Sequence, residues 1–234
     1  MRWLIAPLLC LSLLCGLLLG AGPVHAREPE EAALRSGIKY VAVGDSYTIG
    51  EGVAVQDRWP DQLVRQLHER GVDLERVANP SRTGYTTADV LAHEIPVLEE
   101  IKPAFVTLLI GVNDYVRGVP PEVFEKKLAT VLDRITLAAP DAALLMITIP
   151  DYGKTPGGAS FGDPAETAAG IAVFNSIIIS MARQRNIVVA DIYTVSQHAS
   201  AAGKVAGDGL HPSAAQYRDW LTVILPAAER ALKQ

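Results

Sequence analysis

The chain has 234 residues, 49% of them hydrophobic and 20% charged, which suits one domain large enough to bury a full core. A formal net charge of −5 gives no basic footprint and argues against a nucleic-acid partner. Both cysteines, Cys10 and Cys15, fall in the apolar leader, so a disulfide framework, a cysteine nucleophile and a thiolate metal site are excluded from the rest.

Arg2 is followed by a Leu-rich run from Leu4 to Leu19 and then by Val24-His25-Ala26, small residues of the kind a signal peptidase reads. Residues 1–26 therefore read as an export signal cleaved after Ala26. The alternative is an uncleaved membrane anchor, for which the run is short and broken by Gly16 and Gly20. Leu9 and Leu14 precede the cysteines where a lipid-attachment signal needs a small residue. The expectation is an exported protein, periplasmic or extracellular, with no stable membrane insertion after cleavage. Residues 27–37 are charged and read as a linker, leaving 38–234 as the domain.

The first strand is the apolar run Tyr40–Val43, which stops at Gly44-Asp45-Ser46. Trp59–Arg70 has helical apolar spacing and Pro60 in its first turn. Leu74–Ala78 is a second strand and residues 79–87 a loop. A helix follows from about Thr87 to Ile101, with a kink expected at Pro96. Phe105–Ile110 and Ala143–Ile149 are continuous apolar strands, separated by a helix over Glu122–Ala138. Asp151–Gly162 is a Gly- and Pro-rich loop, Ala165–Arg185 a helix, and Ile187–Ala190 the fifth strand. Residues 196–208 are small and polar, and Pro212–Leu232 is the last helix. Unbroken apolar strands alternating with helices mark a parallel sheet covered on both faces. The fold class is α/β, one three-layer α/β/α sandwich.

Polar residues follow the strand ends. Gly44-Asp45-Ser46 follows the first, Asn79 and Gly84 the second, Gly111-Val112-Asn113-Asp114 the third, and Asp208-Gly209-Leu210-His211-Pro212 comes after the fifth. In a parallel sheet these points meet at one edge, where open α/β sheets hold their sites. A serine nucleophile needs a base within reach, and His211 supplies one. Asp208, three residues earlier, fixes its tautomer and orientation. The oxyanion formed on attack needs preorganised donors, for which Ser46 N–H, Gly84 N–H and the Asn113 amide are candidates.

These blocks, GDSYTIGEG, NPSRTG, GVND and DGLHP, resemble those of the SGNH or GDSL-type hydrolases, over about Lys39 to Leu232. The family's four signature residues correspond here to Ser46, Gly84, Asn113 and His211. Residues 113–118, NDYVRG, and the Trp59-Pro60 helix look closest to its bacterial lysophospholipase/thioesterase branch. The resemblance implies a flavodoxin-like fold with a five-stranded parallel sheet. It also implies esterase, thioesterase or lipase-type hydrolysis without metal or cofactor. Tyr47 departs from the Leu of the GDSL letters, a position that varies in the family.

Plainer roles are available for several residues. Ser46 taken alone reads as a helix cap. Asp45 and Asp114 read as bonding loop backbone, and Asn79 as an Asx-turn residue. His68 and His93 read as surface residues, and with no paired His at ligand spacing no metal site is expected. Arg117 is either a loop charge or a contact for an anionic head group. Tyr152 and Phe161 are candidate walls of an acyl pocket, on a loop that is either a lid hinged at Gly157 and Gly158 or plain surface. The substrate expected is a small or lipid-like ester with a short or medium acyl group. A sugar acetyl ester, acyl transfer to a sugar hydroxyl, and a non-catalytic binding module are the alternatives.

Overall fold

Each of the five apolar runs becomes a strand. In the computed structural model, which describes residues 37–234, these are β1 (Ile38–Gly44), β2 (Leu74–Ala78), β3 (Phe105–Leu109), β4 (Ala143–Ile147) and β5 (Val188–Ala190). All pair in parallel, in the order β2-β1-β3-β4-β5. This is the flavodoxin-like order. The central strand β3 is buried at every position, as a sheet covered on both faces requires. The expected export signal and all of the linker except Gly37 lie outside the described residues.

The helices are α1 (Ser46–Ile49), α2 (Trp59–Glu69), α3 (Thr87–Asp89), α4 (Ile95–Ile101), α5 (Val112–Val116), α6 (Pro121–Ala138), α7 (Pro164–Gln184), α8 (Tyr193–Ala201) and α9 (Ala214–Ala231). One outer layer packs α9 against α2 and α8, and the other packs α6 against α4 and α7. The α2–α9 layer buries Trp59, Tyr217 and Trp220 completely. Tyr217 and Trp220 meet edge to face at 5.1 Å, and the Tyr217 hydroxyl donates to the Tyr47 carbonyl at 3.0 Å. The last long helix is thereby bonded to the first turn after β1.

Two stretches gain definition in the structure. Residues 196–208, read only as small and polar, are partly helical, because Tyr193–Ala201 forms a helix that buries Ser196, Ala199 and Ser200. Small residues are what fit where that helix lies against α9. The irregularity expected at Pro96 falls just before it, as a π turn over Val90–Glu94 joining α3 to α4. Proline has no N–H to return to the carbonyl four residues back, and a widened turn accommodates that loss.

Candidate active site

Ser46 opens α1 directly after β1 and is buried. It does not cap the helix. Asp45 is the N-cap, and its Oδ1 accepts the Tyr47 N–H at 3.0 Å. The Ser46 hydroxyl is thus left without a capping duty. Asp45 is wholly buried, and burial pushes its carboxyl up to about 8, against the lowering effect of the Tyr47 N–H. Its Oδ2 has no hydrogen-bond partner among the described residues.

Asp208 and His211 come from the turn before α9. Asp208 Oδ1 accepts the backbone N–H groups of Leu210 and His211 at 2.9 and 3.0 Å, and its Oδ2 lies 2.6 Å from His211 Nδ1. One carboxylate therefore shapes the turn and orients the ring. Partial burial alone would raise Asp208, but the two N–H donors and the imidazole outweigh it and hold the carboxyl below its ordinary value. His211 also rests against Tyr47, with ring centroids 5.7 Å apart. With Nδ1 engaged, Nε2 is the nitrogen left for chemistry.

The second and third strand ends supply the remaining groups. Gly84 has φ +83°, a conformation other residues rarely adopt. Asn113 Nδ2 donates to the Tyr85 carbonyl at 2.9 Å, and an Arg117 guanidinium N–H donates to the Gly84 carbonyl at 2.7 Å. Both side chains tie the Gly84-Tyr85 peptides to α5 and the residue after it. Arg117 thus has a defined backbone partner, beyond a loose surface charge. Asp114 is wholly buried and accepts both the N–H and the hydroxyl of Thr87 at 2.9 and 2.7 Å, a structural role at the start of α3. Asn79 makes no Asx turn; its amide donates to the Thr48 carbonyl of α1 at 2.8 Å, because the end of β2 lies beside that helix.

Ser46, Gly84, Asn113 and His211 line one cleft of about 150 Å³, together with Tyr47, Thr83, Val112, Val116, Tyr152, Phe161 and Leu210. Tyr152 is buried in the wall, and Phe161, 48% exposed, meets it edge to face at 5.7 Å. Val112, Val116 and Leu210 escaped the sequence reading, although each stands beside or within a motif block. Their signal was being apolar next to residues that face a site.

The loop after β4 is tied down rather than loose. Gly157 N–H donates to the Gly209 carbonyl of the Asp208–His211 turn at 2.8 Å, and Gln197 donates to Asp151 at 2.8 Å. A Cβ at Gly158 would lie 2.1 Å from the Tyr152 carbonyl oxygen, so close packing accounts for that glycine without a hinge. His68 and His93 are exposed on the helical segments. No group of three or more His, Cys, Asp or Glu is placed to hold a metal ion among the described residues.

Residues 42–218 match the model of the GDSL-like lipase/acylhydrolase family. The chain is 32% identical to an arylesterase of Vibrio mimicus over 124 residues, 53% of this chain and 62% of that one. It is 27% identical to esterase TesA of Pseudomonas aeruginosa over 82% of this chain and 88% of that protein. A crystal structure of TesA superposes with a TM-score of 0.68 at 26% identity, covering 82% of this chain and 99% of the other. A family 3 carbohydrate esterase of Clostridium thermocellum shares the fold, with a TM-score of 0.68 at 19% identity over 84% and 98% of the two chains.

Proposed function

The chain belongs to the GDSL-like lipase/acylhydrolase family, and from that premise we propose that it is an exported serine esterase that hydrolyses carboxylic esters through an acyl-enzyme on Ser46. The observation that carries the reading is the 2.6 Å contact between His211 Nδ1 and Asp208, in a cleft that Ser46, Gly84 and Asn113 also line. A serine, an oriented imidazole and oxyanion donors are the parts acyl transfer requires.

In this mechanism Ser46 Oγ attacks the ester carbonyl carbon while His211 Nε2 takes the hydroxyl proton. The carbonyl electron pair moves to oxygen, where Ser46 N–H, Gly84 N–H and Asn113 stabilise it. The intermediate collapses, the C–O bond to the leaving alcohol breaks, and His211 returns the proton to that alcohol. Water then attacks the acyl-serine, its proton passing to His211 and on to Ser46 as the acid departs. Asp208 stabilises the imidazolium in both halves.

The acyl group lies against Val112, Val116, Tyr152, Phe161 and Leu210. The cleft is small, about 150 Å³, and its lining is mostly apolar. That supports a short or medium acyl chain, with a longer tail leaving past Phe161 at the lip. Export rests on the leader pattern of residues 1–26.

A ladder of p-nitrophenyl esters from acetate to palmitate tests the reading on the wild type and on Ser46→Ala. Turnover should peak at a short or medium chain and fall by at least about 10³-fold in the variant. Full activity in folded Ser46→Ala would remove the nucleophile. Turnover of acetate alone would move the substrate to acetyl esters, including those on sugars. Silence on every ester, with no labelling by a fluorophosphonate, would leave a binding module.

A further inference from the structure

Glu94 is a carboxylic acid with no exposed surface, and the reaction above does not use it. Its position follows from how β1 ends. Alternate residues of a strand direct their N–H and C=O groups to the same edge. Ile38 N–H donates to Asp73 O at 2.7 Å, so the even-numbered residues of β1 face β2. Pairing with β2 stops at Val41 and Ala78. Beyond that point Ala42 O and Gly44 N–H still face the edge, with no strand beside them. Two side chains fill the gap. The Ser81 hydroxyl donates to Ala42 O at 3.3 Å, and the Glu94 carboxyl accepts the Gly44 N–H at 3.2 and 3.3 Å through its two oxygens. Gly44 stands two residues before Ser46.

We propose that Glu94 is a positioning residue for the nucleophile: its buried carboxyl replaces the missing strand beside the end of β1 and fixes the Gly44–Ser46 turn. The inference rests on the reading of Ser46 as nucleophile. The Ser81 hydroxyl lies against the same carboxyl. The Gly44 N–H and the Ser81 hydroxyl favour the ionised carboxylate and so work against the effect of burial. The groups facing Glu94 are Asp45 from the turn after β1 and Asp89 from its own helical segment, both acidic. Asp114, from α5, faces Asp45 in turn. No lysine or arginine pairs with Glu94 among the described residues. Burial, reinforced by Asp45, pushes Glu94 up to about 8, where Asp45 also stands. Ionisation of either would put negative charge beside the turn that carries Ser46, whose N–H faces an oxyanion. The transition state is disfavoured by that charge, so the rate declines as pH passes about 8.

Stability has a defined sign as well. The unfolded chain releases the Glu94 proton near the ordinary glutamate value, whereas the native state holds it to about 8. Between those limits the native state binds more protons, so stability falls as pH rises and levels off above about 8.

Glu94→Gln is the near isostere of the protonated acid, with an oxygen for Gly44 N–H and donors for Ser81, whereas Glu94→Ala has neither. Rates on p-nitrophenyl acetate and melting temperatures are measured for both variants and the wild type from about pH 6 to about pH 9.5. Glu94→Ala should lose about tenfold to a hundredfold in kcat with KM within about twofold. Glu94→Gln should keep the neutral-pH rate within about twofold and lose less melting temperature as the pH rises. A folded Glu94→Ala with unchanged kcat, or a Glu94→Gln whose melting temperature follows pH as the wild type does, overturns the proposal. The melting comparison needs no ester, so an inactive wild type would sink the hydrolase reading while Glu94 was still decided.

Discussion

In the proposed mechanism Asn113 serves structure and chemistry together. An amide nitrogen has two protons, and Asn113 directs one to the Tyr85 carbonyl at 2.9 Å. That bond aims the other proton without further reorganisation, which is the condition under which a donor is worth most in a transition state. Asn113→Ala is expected to lower kcat by about 10²–10³-fold and to change KM far less. Steady-state kinetics on a short-chain ester check this, and an effect confined to KM would assign Asn113 to substrate binding instead. Asp208 works on the same scale. Its three hydrogen-bond partners all favour the ionised form, so it stays charged through the neutral range and keeps the imidazole oriented.

Among the elements, the loop between β4 and α7 supplies Tyr152 and Phe161 to the cleft and braces the catalytic turn through Gly209. Its conformation depends on Gly158, where a side chain meets backbone that cannot yield. Gly158→Ala is expected to cost about 1–3 kcal/mol of stability, as overpacking does. Thermal melting measures that cost, and an unchanged melting temperature would show that the loop is looser than its bonds imply. β1, β3, β4 and β5 were legible beforehand as apolar runs, whereas β2, LERVA, carries Glu75 and Arg76 and was legible by its place between a helix and an Asn-Pro loop. Helix Tyr193–Ala201 was not, since Ser, Thr and Ala at its positions carry no apolar periodicity. Asn79 and Glu94 were misread or passed over for a different reason. Their partners, Thr48 O and Gly44 N–H, lie 31 and 50 residues away, and no local pattern encodes such a contact.

Across the whole molecule, the sheet order brings chemistry from four distant stretches to one edge. α1 after β1 carries Ser46, the loop after β2 carries Gly84, α5 after β3 carries Asn113, and the turn before α9 carries Asp208 and His211. The sequence made this convergence readable, because the polar blocks sit at strand ends and parallel strands end on one side. The geometry within the edge was not readable. The Asp45 cap, the Arg117 bond to Gly84 and the apolar wall formed by Val112, Val116 and Leu210 depend on packing between segments remote in the chain. Behind the edge stand Asp45, Glu94 and Asp114, three wholly buried carboxyl groups. In the proposed mechanism the nucleophile is sensitive to the protonation of Asp45 and Glu94, a property of the assembled fold rather than of any one motif.

The central claim, a covalent acyl-enzyme on Ser46, is tested most directly by acid-quenching the protein within its first turnovers on p-nitrophenyl acetate and mapping the peptides by mass spectrometry. The account predicts one acetyl group on the peptide containing Ser46, absent from Ser46→Ala and absent from wild type first treated with a fluorophosphonate. Acetyl on another residue, or wild-type turnover with Ser46 unmodified throughout, would contradict it.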